Sequence, residues 1–377
     1  MSSEPVNAKS ERAATRFGTG WISGVLSVAL GLLGAGAVLC LLFPSLLTMP
    51  ELREIYPMPL VRAAIHVTLV GAFVLGMVSL SLAQTNRRMA LGASGLGLVL
   101  LAVLAGGSQA QAGGPAAQST YLGLDWFLLN VLFLALIFVP LERVFARLTA
   151  QPIFRAGWRT DLAHFFISHL LVQVTVLLTM LPAAVFFRWA VHPAMQAGVA
   201  AQPLWLQFLE IVFVADFTEY WVHRAFHVLP WLWKFHAVHH SSTAMDWLAG
   251  SRMHLVDIVA TRGLTFVPLF VLGFAQPAVY AYLVFVSFHA VFIHANVNFR
   301  FGALVHLIAT PQFHHWHHSA QFEAVDKNFA VHLPWLDRVF GSYYMPPGEW
   351  PAAYGIAGNP VPENYFRQFA FPFKRRR

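Results

Sequence analysis

Long stretches with almost no charge decide what this chain can become. Residues 21–43 carry no charged side chain, and predominantly apolar runs recur near 61–83, 89–106, 122–141, 162–187 and 204–221. A helix needs about 20 such residues to cross the hydrocarbon of a bilayer. In lipid every backbone N–H and C=O must be satisfied within the segment, so these runs predict helices rather than open strands. Six spanning helices are therefore expected. A further apolar stretch, 257–293, is interrupted by Gly273 and Pro277 and predicts two helices that enter and return.

Composition agrees. Charged residues make up 11% of the 377, against about 25% in soluble domains. The net charge of +7 reads as membrane topology. No basic stripe interleaved with aromatics suggests nucleic acid as a partner, and the closing Lys374–Arg377 run suits an anionic cytoplasmic leaflet. With the N-terminus inside, the basic loops around Arg87 and Arg143–Arg159 also fall inside, and the 107–121 and 190–203 connections fall outside without Lys or Arg. This topology depends on helix 89–106 crossing. Residues 1–20 are polar, and the run after them is too long for the core of a cleavable signal. The single cysteine, Cys40, excludes an internal disulfide and any Cys₄ metal site within one chain.

Fourteen of the 18 histidines lie between His223 and His332. His223 and His227 are four apart and share one helical face at the end of an apolar run. His236, His239 and His240 repeat offsets of three and four, as do His314, His317 and His318, with His315 between. Two H-x-x-H-H boxes and one H-x-x-x-H offer more imidazoles than one metal ion takes, which points to two ions. His294 and His254 could complete the set, with His289 a weaker addition. Asp216 and Glu219 lie on the helix of His223, and Glu219 shares its face. Ligand imidazoles give their second N–H to a carboxylate or carbonyl, so both acids are candidates to hold or support the metal. Isolated His66, His164, His169 and His192, and also His306 and His332, read as packing or capping residues.

Imidazole suits zinc, copper, iron and nickel. A hydrolytic zinc site would use three ligands and a nearby base, as in H-E-x-x-H, which this sequence lacks. A transporter would line its spans with ionisable residues, whereas here the histidines gather near one membrane face. A metal-handling or transport protein and a zinc-dependent membrane hydrolase are thus the alternatives to the reading the residues favour: a non-haem di-iron site that activates O₂ against the C–H bonds of a lipid.

The ordered pattern has a family likeness. Asp216-Phe-Thr-Glu-Tyr-Trp-Val-His223-Arg-Ala-Phe-His227, Lys234-Phe-His236-Ala-Val-His239-His240, Phe292-Ile-His294-Ala-Asn296 and Thr310-Pro-Gln-Phe-His314-His-Trp-His317-His318 together resemble the fatty acid hydroxylase / sterol desaturase superfamily. Asn328-Phe-Ala and Leu336-Asp337-Arg-Val-Phe340-Gly341 resemble its closing motif. The likeness covers roughly residues 160–345. It departs at Leu255, where proline is usual after His254, and at Ala330, where glycine is usual.

The resemblance implies an all-α, polytopic membrane bundle with a histidine-rich metal-binding cap at the cytosolic face. It implies two iron ions, O₂ as co-substrate, a lipid substrate in the bilayer, and an external electron donor protein of cytochrome b5, ferredoxin or rubredoxin type. Carried over by position, the metal ligands are His223, His227, His236, His239, His240, His294, His314, His317 and His318. His254, His289 and His315 are further candidates, and Asp216, Glu219, Asn296 and Asp337 are candidates to support the ligands. The expected organisation is a polar tail (1–20), scaffold helices (21–150), a hydroxylase-like catalytic domain (151–345) and a basic tail (346–377). Hydroxylation and desaturation share the oxidant, and the sequence chooses neither the outcome nor the lipid.

Overall fold

The computed structural model describes residues 18–49, 53, 56–111, 122–170 and 172–374. The basic residues of the N-terminal tail, most of the 107–121 connection, the side chain of His169 and Arg375–Arg377 lie outside the described residues. Among those described, the structure is helical, with two isolated β-bridges and no strand. The chain divides into two compact units, Met1–Val131 and Leu132–Arg377.

Three long helices build the first unit: α1 (Trp21–Leu42), α2 (Met58–Leu82) and α3 (Asn86–Leu104). α1 packs on both of its neighbours through a stripe of small residues. Gly24, Ser27, Gly31 and Gly34 are buried on it at helical spacing. A Cβ on Gly34 would stand 2.6 Å from Leu69 Cδ2, and one on Gly24 2.6 Å from Ser79 Oγ. Only small side chains let membrane helices approach this closely. Ser27 Oγ donates to Ala72 O (2.7 Å) and Ser79 Oγ to Gly20 O (2.7 Å), which adds polar ties inside an apolar core of Val38, Leu41, Ile65, Leu69 and Val99.

Helix α4 (Leu124–Val144) leads into the second unit. That unit holds α5 (Trp158–Leu170), α6 (Val172–Phe186), α7 (Pro193–Ala200), α8 (Leu204–Val228), α9 (Pro230–His240), α10 (Leu255–Leu272), α11 (Gln276–His294), α12 (Pro311–His317), α13 (Trp335–Val339) and α14 (Tyr365–Ala370). α10 packs on α6 and α8, and α11 on α8 and α12. Proline punctuates this half of the chain. Pro203 separates α7 from α8, which bend by 119°, and Pro230 opens α9 one residue after α8 ends. Proline fits the first helical turn, where its missing N–H costs nothing, and it cannot continue the helix before it. The α8–α9 corner therefore turns His223 and His227 to face His236 and His240. Gly273, at φ +72°, ends α10 in the left-handed conformation that glycine allows.

Six helices are long and apolar enough to cross a membrane: α1, α2, α3, α4, α10 and α11. This set differs from the expected one. The 162–187 span appears as α5 and α6, each under the length needed, with Leu171 outside the described residues. The 204–221 span extends to Val228 and passes the test only together with α7, across the bend. Glu210, Asp216 and Glu219 make α8 too polar to cross alone. The interrupted stretch 257–293 becomes two helices, α10 and α11, each of full crossing length.

Candidate metal centre

Nine histidines converge in the second unit as two adjoining groups. His223, His227, His236, His240 and His317 form one, and His239, His294, His314 and His318 the other. Within each group the donor nitrogens lie within 4.8 Å of one another. α8 and α9 supply four rings of the first group and α12 the fifth. The H-x-x-H-H spacing splits each box between groups: His236 and His240 face one, and His239 the other. Likewise His317 joins the first, while His314 and His318 join the second.

Hydrogen bonds on the far side of the rings fix their orientation. His223 Nδ1 donates to Phe329 O (2.8 Å), His317 Nδ1 to Lys327 O (2.8 Å), His236 Nδ1 to Asp257 Oδ2 (2.7 Å) and His227 Nδ1 to Asp326 Oδ1 (3.2 Å). In the second group His239 Nδ1 donates to Arg252 O (3.1 Å) and His294 Nδ1 to Ala290 O (2.6 Å). With the ring proton placed on Nδ1, each Nε2 is left as a bare lone pair. His223 and His236 then bring two lone pairs to 3.0 Å, and His294 and His239 bring two to 3.4 Å. Buried lone pairs at this range repel unless a cation lies between them. The Nε2 atoms of His227 and His317 are also buried without a partner. Burial first, and then the neighbouring imidazoles, hold His239, His240, His314, His317 and His318 well below the usual imidazole range. The rings are neutral, as ligands must be. This donor set fits metal ions, and its imidazoles suit iron.

The tethers are themselves anchored. Asp337, buried, accepts from Phe329 N (2.7 Å), Ala330 N (2.9 Å) and Ser342 Oγ (2.7 Å). Asp216, also buried, accepts from Val331 N (2.8 Å), His332 N (3.1 Å) and Leu333 N (2.6 Å). Two carboxylates thus hold five consecutive backbone N–H groups. Asn328 adopts φ +60°, and its side chain bonds Phe313 O (3.0 Å), Tyr344 O (2.6 Å) and Tyr344 N (2.7 Å). Left-handed backbone at Asp326 and Asn328 turns the loop so that Asp326, Lys327 O and Phe329 O reach three rings of one group. On the second group, Arg252 is paired with Asp161, which also binds Arg155, and Arg155 grips Asp246 through Nε and Nη2 (2.7 Å each). This buried network fixes the loop whose Arg252 carbonyl orients His239.

Several expected roles change. Asp216 and Asp337 touch no imidazole and act on the backbone that carries His223's acceptor. Asn296 bonds Leu148 N and O (2.9 and 3.1 Å) and staples the chain just beyond His294. Glu219 makes no hydrogen bond or ion pair among the described residues. His254 caps α10, accepting from Val256 N (3.1 Å) and donating to Phe369 O (3.0 Å). It is spent on capping and stands outside both groups. His289 pairs with His332 (3.0 Å), away from the nine. His315 points away from the centre: its Nε2 donates to His294 O (3.3 Å), and Tyr354 OH lies 2.8 Å from its Nδ1. Residues 346–374 form no loose tail. Tyr354 reaches His315, and α14 supplies the Phe369 carbonyl to His254 and Gln368 to His164 (2.8 Å). The sequence pattern missed Asp257, Asp326, Arg155, Asp161 and Asp246. Asp257, three residues after His254, and Asp326, two before Asn328-Phe-Ala, lay near recognisable motifs.

Comparison with known proteins agrees with this geometry. Residues 208–342, which hold all nine clustered histidines, match the fatty acid hydroxylase family model. The chain is 28% identical to an ornithine lipid hydroxylase of Rhizobium tropici over 266 residues, 67% of this chain and 77% of the relative. It is 33% identical to the alkylglycerol monooxygenase of Homo sapiens over 129 residues, 34% of this chain and only 28% of that protein. A putative methylsterol monooxygenase of Dictyostelium discoideum is 25% identical over 51% of this chain and 70% of its own length. No solved structure matches the chain. On the family match and the ordered histidine pattern together, residues 208–342 form a fatty acid hydroxylase domain, and the chain is similar to lipid hydroxylases and monooxygenases of that superfamily.

Proposed function

We propose that this multi-pass membrane protein binds two iron ions, one in each histidine group, and uses O₂ to oxidise a C–H bond of a lipid. The protein is an O₂-dependent lipid oxidoreductase of the hydroxylase and monooxygenase kind. The observation that carries the two-ion reading is the division of nine rings into groups of five and four, with bare Nε2 atoms turned inward. Iron, when bound, supplies the activation of O₂ that no side chain can perform. The chain's own groups do the rest. Phe329 O, Lys327 O, Asp257, Asp326, Arg252 O and Ala290 O keep the ring protons on Nδ1 and the lone pairs inward. Burial of eight of the nine rings, with His227 partly covered, limits water at the centre. Helices α10 and α11 are long and apolar enough to cross a membrane, and in this reading a lipid approaches the centre along them.

Electrons come from a separate donor protein, because the single cysteine rules out an internal Cys₄ iron–sulfur centre. In this reading four crossings before residue 145 and two through α10 and α11 leave the histidine-bearing segments on the side of the N-terminus, and the basic loops favour the cytoplasm for that side. Metal analysis of the purified full-length protein tests the reading. About two irons per chain are expected, falling to about one in His223→Ala and in His294→Ala. Lipid extracts of cells with and without the protein should differ by one added oxygen or two lost hydrogens. A protein that holds only zinc, and whose loss changes no lipid, would refute the proposal.

A further inference from the structure

Glu219 of α8, Arg262 of α10 and Tyr282 of α11 feel one another's charge, and His332 stands against Tyr282; the metal centre uses none of the four. Glu219 lies one helical turn before His223, about 5–6 Å along the same face. Its electrostatic neighbours are the carboxylates Asp216 and Asp257, both already bound elsewhere, and Arg262 of α10; Tyr282 of α11 feels the charges of Glu219, Asp216 and Arg262. Among the described residues, neither Glu219 nor Arg262 forms an ion pair within 4.0 Å, and neither they nor Tyr282 makes a hydrogen bond. Glu219 is half-buried and Arg262 keeps exposed surface, so the two border accessible space rather than a sealed core. A charge on a membrane helix is costly and marks a site that handles polar ligands, and Arg262 lies on α10, which is long and apolar enough to cross.

His332 adds an independent sign. Its ring stands edge-on to Tyr282, with centroids 6.1 Å apart, and it is fully buried. Ala309 O (2.9 Å) requires the proton of His289 on Nε2, so His289 Nδ1 is an acceptor. His332 Nδ1, 3.0 Å away, must then be the donor, which leaves His332 Nε2 a buried lone pair with no partner. An unmet buried acceptor is costly, and a ligand donor would remove that cost.

We propose that Glu219, Arg262, Tyr282 and His332 form the headgroup pocket of the lipid substrate, and that it takes a zwitterionic head: Glu219 receives an ammonium, Arg262 an anionic group, and Tyr282 and His332 the neutral donors and acceptors between them. The inference rests on the lipid-oxidase reading and names its substrate class. A neutral lipid such as a sterol or diacylglycerol would leave both charges unmatched, which disfavours it. Because Glu219 is one turn from His223, the carbon brought to the metal lies near the head rather than far along an acyl chain. The anion could be the carboxylate of an aminoacyl lipid or the phosphate of phosphatidylethanolamine.

Equilibrium binding to the purified, metal-bearing full-length protein in detergent separates these. The probes are a radiolabelled diacyl amino-acid lipid with free amine and carboxylate, phosphatidylethanolamine, diacylglycerol and cholesterol. One zwitterion should bind at least tenfold more tightly than the neutral lipids. Glu219→Gln and Arg262→Met should each erase most of that preference, on the order of tenfold for a lost charge-assisted contact, and Arg262→Lys should restore part of it. Unchanged iron content in the variants shows that they fold. Equal binding of neutral lipids, or variants with intact preference and intact iron, overturns the proposal. Binding needs no turnover. A protein that binds the zwitterion selectively but never oxidises lipid keeps the pocket and loses the oxidase reading. One that oxidises lipid with Arg262→Met as effective as the parent does the reverse.

Discussion

Replacing Asp337 with alanine should empty one metal site before the other. The carboxylate accepts two backbone N–H groups, at Phe329 (2.7 Å) and Ala330 (2.9 Å), and the Ser342 hydroxyl. All of them sit in buried surroundings. Ser342 can turn its proton elsewhere, but the two amides cannot. Leaving a buried donor unmet costs about 1–3 kcal/mol, so the pair costs roughly 2–6 kcal/mol. The strain is released by letting 328–330 move, and Phe329 O is what holds the Nδ1 proton of His223 (2.8 Å). Loss of a partner that orients a ligand histidine typically lowers metal affinity about 10–100-fold. The group of His239, His294, His314 and His318 takes its tethers from Arg252 and Ala290, which Asp337 does not touch. Iron content should therefore fall from about two toward one per chain, with a lowered melting temperature. Asp337→Asn, which keeps one acceptor oxygen, should fall between. The assay is metal analysis after dialysis against a graded chelator, alongside thermal unfolding in detergent. If both sites empty in parallel, or if Asp337→Ala melts like the parent, the argument that this carboxylate acts through the Phe329 carbonyl is wrong.

Other perturbations reach other parts of the structure. Arg155→Met strands the buried carboxylate of Asp246 and leaves Asp161 with Arg252 alone, and breaking a buried ion network costs about 3–5 kcal/mol; a chelator titration should then show the four-histidine group, tethered through Arg252, losing iron first. Gly95→Val drives a branched side chain into Ser27 across α1 and α3; overpacking of this kind costs about 1–3 kcal/mol, seen as earlier unfolding with iron stoichiometry intact in the folded fraction. Acid should destabilise the fold. Burial pushes His315 down to about 3, so between about pH 6 and 4 it stays neutral in the fold while the unfolded chain takes up a proton. Stability is then present above about pH 6.5 and falls as pH drops toward 3. Each such histidine contributes a slope of about 1.4 kcal/mol per pH unit, and unfolding free energies of His315→Gln should show a slope shallower by that amount. An unchanged slope would mean that His315 is protonated in the fold.

The clustered histidines were readable from sequence and the groups that orient them were not, for a physical reason. A histidine is recognised by its side chain, and eight of the nine, at offsets of three and four, mark the helix faces that converge. The groups that orient them are mostly backbone carbonyls, at Phe329, Lys327, Arg252 and Ala290. Any residue type offers a carbonyl, so nothing in the letters announces which one a loop will aim. Even the carboxylates deceived for this reason. Asp216 lies three residues before Glu219 and seven before His223, close enough on one helix to suggest a direct contact, yet it grips the amides of 331–333 from a distant loop. His315 shows the same limit from the other side: one residue from His314 and two from His317, it faces outward because neighbours on a helix are about 100° apart.

The division of the two H-x-x-H-H boxes follows from that geometry. In a helix, positions i and i+4 stack more closely than i and i+3. His236 and His240 therefore stay together in the five-histidine group, and His239 turns toward the other. His314 and His318, at i and i+4, pair in the same way in the four-histidine group, while His317 crosses to the first. The two boxes are thus complementary, each giving its i, i+4 pair to one group and its remaining ring to the other. A single box could build one incomplete site. Two such boxes, brought together with the pair from α8 and His294 from α11, build two adjoining sites and tie them together, because α9 and α12 each bridge both. A variant that shifts one box by a single helical residue should lose both sites at once, whereas point changes at the tethers should lose them one at a time.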